Sequence, residues 1–332
     1  MYDFRSTDRF PVSRKRLYDE GFDHVRTAER LGFASAWTPE HHLSDCGYNP
    51  APLPVLAALA VQTTRMTVGT SVLLLPFHHP VRVAEEVAAL DWMSDGRVVL
   101  GLGAGYRFAE FEGYGIERRT RGGRMDEGLE IILRCWQEES FSFQGRHWQL
   151  RNVSLGPRPK QRPHPPIVLA ARGAPAALRA ARHGFSIMPT GDRKEVVDTW
   201  RAALRELGRE PDHPDVYTTM RVYPTRDPER EWAELAEHVL EESIRVRAWY
   251  HEAADNPIDV RQPVREDREQ MKAEELGRMI LGEPEECVRR LRELEATGVN
   301  HVILHGSLIG LPHEKALAHQ ELFAKEVMPL LV

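Results

Sequence analysis

Short apolar runs alternate with longer amphipathic segments along most of the chain. The short runs are almost continuously apolar, as expected of parallel strands that are covered on both faces. The longer segments repeat apolar residues with a period near 3.6, which is typical of helices. The pattern predicts strands at residues 34–38, 66–75, 98–103, 167–171, 185–188, 216–223 and 301–304. It predicts helices at residues 18–31, 53–63, 81–93, 121–138, 174–183, 194–207, 285–297 and 313–331.

The alternation of strands and helices indicates an α/β fold with a parallel sheet. A TIM-type (β/α)8 barrel needs an eighth strand. Residues 1–4 are the candidate, and they would form a shortened first strand. A doubly wound open sheet is the alternative. No linker-like segment divides the sequence, so we expect residues 1–332 to form a single domain.

Two segments depart from this alternation. Residues 141–150 alternate in polarity around Gln144-Gly145, which predicts a hairpin attached to the barrel. Residues 228–279 form a charge-rich, largely helical insertion that is interrupted at Asn256-Pro257. Such a segment is most often a solvated helical face. The functional alternatives are a lid over a site or a contact between the subunits of a dimer.

The composition is that of a folded protein, with 42% hydrophobic and 28% charged residues. A net charge of -6 and a pI near 6.2 argue against nucleic acid as a partner. The apolar runs are all shorter than the roughly 18 residues of a transmembrane helix. The N-terminus also lacks the apolar region of a signal peptide. We therefore expect a cytoplasmic protein with no membrane partner.

The cysteines and histidines do not follow a known metal pattern. Cys46, Cys135 and Cys287 have spacings that suit neither a disulfide framework nor a zinc ribbon. Cys135 and Cys287 lie in helical patterns and are expected to be buried, whereas Cys46 lies in a loop. The histidines show no H-E-x-x-H or H-x-H spacing, and adjacent histidines cannot easily face one ion. We therefore expect no metal site.

The most informative polar group is the triplet Glu40-His41-His42, directly behind the apolar run of residues 34–38. In a (β/α)8 barrel, working residues stand at the carboxyl ends of strands and in the loops that follow them. Histidine changes its charge near neutral pH, so the triplet is suited to proton transfer. The alternative is a surface loop that happens to contain two histidines.

Three further loops follow predicted strands. Glycines at 101, 103 and 105 precede Tyr106, and a chain without Cβ atoms lets a flat ligand or a phosphate approach the backbone. Arg172-Gly173 leads into a helix, and a guanidinium beside a helix N-terminus can hold a phosphate. The alternatives are tight packing for the glycines and a salt bridge for Arg172. His78-His79 precedes Pro80 and is expected to cap or line the rim.

A set of motifs, in this order and spacing, resembles the bacterial luciferase-like monooxygenase family, the luciferase-like flavin-dependent oxidoreductases. The resemblance covers nearly the whole chain. The motifs are Leu31-Gly32-Phe33, Trp37 to His42, Val68 to Pro76, His79 to Glu85, Leu90-Asp91, Ser94 to Arg97, Gly101 to Tyr106, Glu110-Phe111, Gly115, Arg124 to Glu127 and Gly282 to Cys287.

This resemblance implies a TIM-type barrel with a flavin at its mouth. The first histidine of the triplet, His41, would take part in proton transfer at the flavin ring. A non-prolyl cis peptide bond beneath the ring would fall at Ser71-Val72. Contacts to the flavin ring and phosphate would come from two loops, with the residues Gly103, Gly105 and Tyr106 in one and Arg172 and Gly173 in the other.

The resemblance also implies the reaction. Members use reduced FMN and O2 to oxidise a small organic substrate, with reduced flavin supplied by a separate reductase, and a homodimer is expected. One branch instead uses a deazaflavin for hydride transfer, and some relatives are non-catalytic flavin-binding subunits; both remain alternatives. Luciferases proper carry a cysteine and an arginine where this chain has Gly103 and Ala104, which argues against light emission.

Overall fold

Parallel strands and helices alternate in the computed structural model, which describes residues 1–2, 4–190, 193–209, 215–253 and 265–331. The strands are β1 Ser35–Thr38, β2 Thr67–Thr70, β3 Leu73–Leu74, β4 Val98–Gly103, β5 Phe141–Gln144, β6 Gln149–Val153, β7 Ile167–Ala171, β8 Ser186–Pro189, β9 Tyr217–Met220, β10 Val222–Pro224, β11 Ile280–Gly282 and β12 His301–Leu304. The α-helices are α1 Arg14–Arg30, α2 Pro52–Gln62, α3 Pro80–Met93, α4 Phe108–Gly113, α5 Arg121–Gln137, α6 Ala174–His183, α7 Arg193–Glu206, α8 Pro228–Ala253, α9 Arg265–Arg278, α10 Pro284–Glu295 and α11 His313–Leu322.

The main sheet is parallel, as the alternation predicts. Its order is β1-β2-β4-β7-β8, with β3 paired to β4. A bridge between Ile187 and Val216 leads to the parallel pair β9 and β12, and β10 pairs in parallel with β11. β5 and β6 form the predicted antiparallel hairpin. All six residues of β4 are buried, as expected of a strand that is covered on both faces.

The helices begin and end where the sequence gives local reasons. Ser13 caps α1 by accepting a hydrogen bond from the backbone N–H of Arg16. Pro80 opens α3, where its missing N–H costs nothing. Gly184 ends α6 in the left-handed conformation at φ 70°. These signals fix where each helix stops, so the loops that carry the candidate residues emerge at defined points.

The segment predicted as one strand, residues 66–75, is divided. It forms β2, a cis peptide bond at Ser71-Val72, β3 and a short 3-10 turn. The neighbouring glycines of β4 make room for this path. A Cβ on Gly101 would lie 1.9 Å from Thr70 O, and one on Gly103 would lie 2.5 Å from Val72 Cγ2. Tight packing, one of the two alternatives for these glycines, is therefore present.

The predicted first strand is reduced to a short contact. Residues 1, 2 and 4 have no strand assignment. Met1 nevertheless donates to Leu304 O at 2.8 Å, and its carbonyl accepts from Gly306 N at 2.7 Å. A cavity of about 280 Å³ lies between β1, β12, α1 and α11. The closed eight-stranded barrel remains a prediction.

The insertion predicted at residues 228–279 contains α8 and α9, which pack on each other. Leu235 and Val239 of α8 join a buried cluster with Tyr223 and Met279. The interruption predicted at Asn256-Pro257 lies outside the described residues. Of the helices in the described ranges, none combines the length and apolar character that a membrane crossing requires.

Candidate active site

The triplet Glu40-His41-His42 emerges from the end of β1, and its backbone is fixed by one asparagine. The Asn49 amide donates to Pro39 O at 2.9 Å, and Asn49 O accepts from His41 N at 3.1 Å. Asn49 is itself only 1% exposed. Because both bonds are to backbone atoms, the triplet has one defined path across the end of the strand.

A buried carboxylate orients His41. Glu110, on α4, is 0% exposed, and its Oε1 lies 2.9 Å from His41 Nδ1. The same oxygen accepts from His42 N at 2.9 Å. Arg107 lies 3.8 Å from this oxygen and donates to His42 O at 2.7 Å. Glu110 Oε2 has no hydrogen-bond partner within the described ranges.

The geometry of His41 and Glu110 is one that can support proton transfer. When the carboxylate accepts from Nδ1–H, the imidazole keeps Nε2 as the nitrogen that can accept or return a proton. A carboxylate behind a histidine fixes its tautomer and stabilises its protonated form. The side chain of His41 is 16% exposed, so it is accessible from one side.

A second carboxylate, Glu40, organises the rest of the triplet. Its Oε1 accepts from His42 Nε2 at 2.7 Å and from His78 Nε2 at 2.6 Å, and Oε2 accepts from Leu74 N. Burial raises the pKa of Glu40, but these hydrogen bonds outweigh it and lower the pKa to about 2. Glu40 is therefore ionised and accepts only, so both histidines donate from Nε2. Tyr114 OH completes the cluster at 3.0 Å from His42 Nδ1.

Glu40, His42 and His78 form the group of described residues that is suited in composition to a metal ion, with ligand atoms within 4.8 Å of one another. The sequence pattern predicted no metal site and did not indicate that these three side chains would meet, because His78 comes from a different loop. However, two ligands of a tetrahedral zinc ion lie about 3.3 Å apart. The separations of 2.7 and 2.6 Å from Glu40 Oε1 are those of direct hydrogen bonds. We therefore describe the group as a hydrogen-bonded cluster.

Aromatic rings surround His41. The ring centroids of Tyr48, Tyr106 and Trp249 lie 5.0, 5.7 and 4.8 Å from that of His41. Trp249 belongs to α8, so this helix reaches the site. Arg107 lies over the indole, with its guanidinium carbon 4.5 Å from the ring centroid.

A cluster of guanidinium groups lies beside Tyr106. Arg118 donates to Tyr106 O at 3.2 Å, and Arg121 donates to Arg118 O at 3.2 Å. Arg124 follows on α5 and donates to Thr120. Burial and the nearby charge of Arg118 lower the pKa of Arg121. No ion pair joins these three arginines to a carboxylate among the described residues, so the cluster has positive charge available for an anion.

The residues predicted from the sequence occupy three neighbouring places. Ser71 and Val72 lie between β2 and β3, and Val72 fills the space beside Gly103. Gly105 and Tyr106 follow β4, and the ring of Tyr106 contacts that of His41. Their roles toward a cofactor remain predictions.

Arg172 and Gly173 form the third place. They follow β7, the neighbour of β4, and open α6. Gly173 has open space around its absent Cβ.

Sequence reasoning missed several participants. Glu110 belongs to one of the motifs of the family resemblance, but the sequence does not indicate its contact with His41, which lies 69 residues earlier in the chain. Trp249 lies in a charged helical segment with no distinguishing pattern. Arg118 and Arg121 precede the motif that begins at Arg124, and this density of arginine was the available signal for an anion site.

Residues 9–301 match the family model for luciferase-like monooxygenases. The chain is 26% identical to the oxygenase component of the flavin-dependent trigonelline monooxygenase of Acinetobacter baylyi, covering 96% of this chain and 91% of the relative. It is 27% identical to an F420-dependent glucose-6-phosphate dehydrogenase of Amycolatopsis mediterranei, covering 93% of each. Among solved structures, the monooxygenase RslO1 of Streptomyces bottropensis aligns with a TM-score of 0.82 and 26% identity, covering 99% of this chain and 98% of RslO1.

Other alignments are partial. Two uncharacterised proteins of Sinorhizobium fredii are 34% and 32% identical to this chain, and the alignments cover 56% and 51% of their lengths. The chain therefore spans about half the length of these curated relatives.

Proposed function

Because the chain belongs to the luciferase-like monooxygenase family, we propose that it is a flavin-dependent monooxygenase that uses reduced FMN and O2 to oxidise a small organic substrate. The observation that carries this proposal is the pair of His41 and Glu110 within a ring of aromatic side chains. The similarity to the oxygenase component of a trigonelline monooxygenase supports it over nearly the full chain.

The residues fit a phosphorylated flavin. A phosphate needs positive charge and N–H donors. Arg118, Arg121 and Arg124 supply charge without carboxylate partners among the described residues, and Arg172 and Gly173 supply a guanidinium and an open helix N-terminus. Arg179 of α6 links the helix that Gly173 opens to the arginine cluster on α5, since it donates to Gly122 O at 3.4 Å and pairs with Asp126. These residues would hold the phosphate.

The flavin ring would lie closer to His41 than the phosphate does. Its other contacts would be Ser71, Val72, Gly103, Gly105 and Tyr106. When bound, reduced FMN supplies the electrons and the reaction with O2. The chain contributes binding, orientation and proton transfer. His41 Nε2 would give or take a proton as acid or base, while Glu110 holds the imidazole through Nδ1.

The insertion would serve as a lid. Trp249 and the aromatic side chains around it would keep water from the side of His41 that they cover, and water exclusion protects reactive species from side reactions. A separate flavin reductase would supply reduced FMN, in keeping with the relative that is named as an oxygenase component. A homodimer and a cytoplasmic location complete the proposal.

The test is a paired cofactor titration under nitrogen. Reduced FMN and reduced F420 are each titrated into the protein, and O2 is then admitted with the reductase-driven system running. We expect tight binding of reduced FMN and oxygen consumption, with His41→Ala binding FMN but losing on the order of 100-fold in product formation. Absence of reduced-FMN binding, or unchanged activity in His41→Ala, would overturn the proposal.

A second candidate is hydride transfer with a deazaflavin, favoured by the similarity to an F420-dependent glucose-6-phosphate dehydrogenase. Such an enzyme needs no O2. The same titration separates the two, because binding of reduced F420 without oxygen consumption would support this alternative.

A further inference from the structure

One side chain of α8 occupies the space beside His41. Trp249 is only 5% exposed, although it lies on an inserted helix. Its indole meets the ring of His41 at 4.8 Å, the ring of Tyr48 at 5.9 Å and the guanidinium of Arg107 at 4.5 Å. A flat side chain thus fills a space whose borders are two rings and a planar cation.

The placement of Trp249 is enforced along one face of α8. Glu242, Arg245 and Trp249 are spaced by three and four residues, so they share one side of the helix. Glu242 pairs with Arg5 at 2.8 Å, and Arg245 lies 2.9 Å from both oxygens of Asp45. All three contacts reach loops or strand ends around the site.

This arrangement defines the shape of the space that a ligand could take. An indole is flat, and the groups that border it interact well with flat π-systems: tyrosine and histidine rings through offset or edge contacts, and arginine through stacking. A puckered or branched ligand of the same size would lose these contacts. The pair of Arg245 and Asp45 can be broken and remade, because the Asp45 side chain is 81% exposed. The end of α8 that carries Trp249 can therefore move while Glu242 holds the rest of the helix.

We propose that Trp249 holds the place of the substrate, and that the space between His41, Tyr48 and Arg107 is a slot for a planar aromatic or heteroaromatic ring. The ring enters when the end of α8 beyond Glu242 moves and Trp249 withdraws, which makes Trp249 the specificity-determining residue. The inference rests on the proposed function in one respect: the slot is a substrate site because His41, the proposed acid or base, borders it.

The test follows Trp249 itself, in protein labelled with 5-fluorotryptophan and without flavin. The 19F resonance of Trp249 is identified by its loss in Trp249→Phe, and that of Trp232, on the same helix, by its loss in Trp232→Phe. Phenol and cyclohexanol, a flat and a puckered ring that carry the same hydroxyl, are the probes. We expect phenol to shift the Trp249 resonance until the shift saturates, with a dissociation constant at least threefold lower than that of cyclohexanol. The Trp232 resonance should not shift with either probe.

A second measurement uses a variant that lacks the indole in the slot. Trp249→Ala should bind phenol about tenfold more tightly than the unchanged protein does by calorimetry, since the indole no longer competes, whereas Trp232→Ala should leave phenol affinity unchanged. Equal responses to the two probes, an unmoved Trp249 resonance at saturating phenol, or no gain in Trp249→Ala would overturn the proposal. Because neither measurement uses flavin, failure of the ring slot and failure of the FMN reaction are distinguishable.

Discussion

Two carboxylates support the two histidines of the triplet in different ways. Glu40 is saturated with three N–H donors, so it fixes His42, His78 and the chain at Leu74 as one rigid unit. Glu110 accepts from His41 and from the backbone of His42, and its second oxygen has no partner within the described ranges. The first arrangement joins the loop of His42 to residues 74–78, and the second holds the imidazole of His41 through Nδ1.

Replacing Glu110 with Gln therefore tests the orienting role. The amide oxygen can still accept from Nδ1–H, but the charge that stabilises a protonated imidazole is gone. We expect kcat to fall on the order of 10- to 100-fold, with little change in KM for the flavin or in Tm. The measurements are steady-state kinetics and thermal unfolding.

Glu112→Gln is the matched control, since Glu112 is exposed on the same helix. It should leave kcat unchanged. A loss of flavin affinity or a large fall in Tm in Glu110→Gln, with kcat intact, would show that Glu110 serves the fold instead.

Individual residues were predictable where one local pattern carried the information. The triplet stood out because it ended an apolar run, and the cis bond at Ser71-Val72 followed from the family resemblance. Glu110 could not be assigned a role, because its contact with His41 depends on how two loops fold toward each other. The same holds for His78, which meets Glu40 from a separate loop.

At the scale of elements, hydrophobic periodicity predicted most strands and helices, including β4 at its observed bounds. The prediction of one continuous strand at residues 66–75 was wrong, because apolar content does not reveal a change of backbone direction. The insertion was predicted as charged and helical, yet charge alone did not tell which face would be buried. The structure shows that the buried face carries Leu235, Val239 and Glu242, and that Glu242 meets Arg5 and Arg221 from other parts of the chain.

Glu242 provides a test of how α8 is held. Burial raises its pKa, but Arg221 and Arg5 hold the pKa of this carboxyl well below its usual range. Glu242→Gln removes the carboxylate that pairs with the buried guanidinium of Arg5, whereas Arg221 keeps its contact with Glu275. Breaking a buried pair such as Arg5–Glu242 costs about 3–5 kcal/mol. We expect amide hydrogen exchange, followed by mass spectrometry, to accelerate more than tenfold in α8 and little in β2 and β4.

The control is Glu229→Gln, at the exposed start of the same helix. It should leave exchange unchanged in both regions. Equal acceleration in α8 and in the main sheet would mean that the network stabilises the whole fold, and unchanged exchange in α8 would mean that Glu242 does not hold the helix.

At the scale of the whole molecule, the parallel order of the sheet follows from the alternation of strands and helices, and the fold is shared with structures such as RslO1. Closure of this sheet into the (β/α)8 barrel remains a prediction. The seam between β1 and β12 contains Met1 and a cavity that is bordered by α1 and α11. Besides the strand residues, His24, His319 and Gln320 line this cavity. How such a seam is packed depends on side chains from α1 and α11, whose meeting no local pattern encodes.

We expect His24 to make this seam sensitive to acid. It is 4% exposed, and burial lowers its pKa from 6.5 to about 3. A folded-state pKa below the unfolded value means that the unfolded chain takes up the proton first. The stability that neutral His24 contributes is therefore complete above pH 6.5 and is lost as the pH falls from 6.5 toward 3. At pH 5 the loss from this one group is about 2 kcal/mol.

His24→Gln removes the titrating group and keeps a polar side chain of similar length. We expect the variant to be less stable than the unchanged protein at pH 7.5, because the imidazole packs against Gly306. The difference should shrink by about 2 kcal/mol between pH 7.5 and pH 5, as measured by urea unfolding at each pH. His79→Gln, at an exposed histidine, should follow the unchanged protein at both pH values. Parallel pH dependence in His24→Gln and the unchanged protein would mean that His24 is not what makes the seam sensitive to acid.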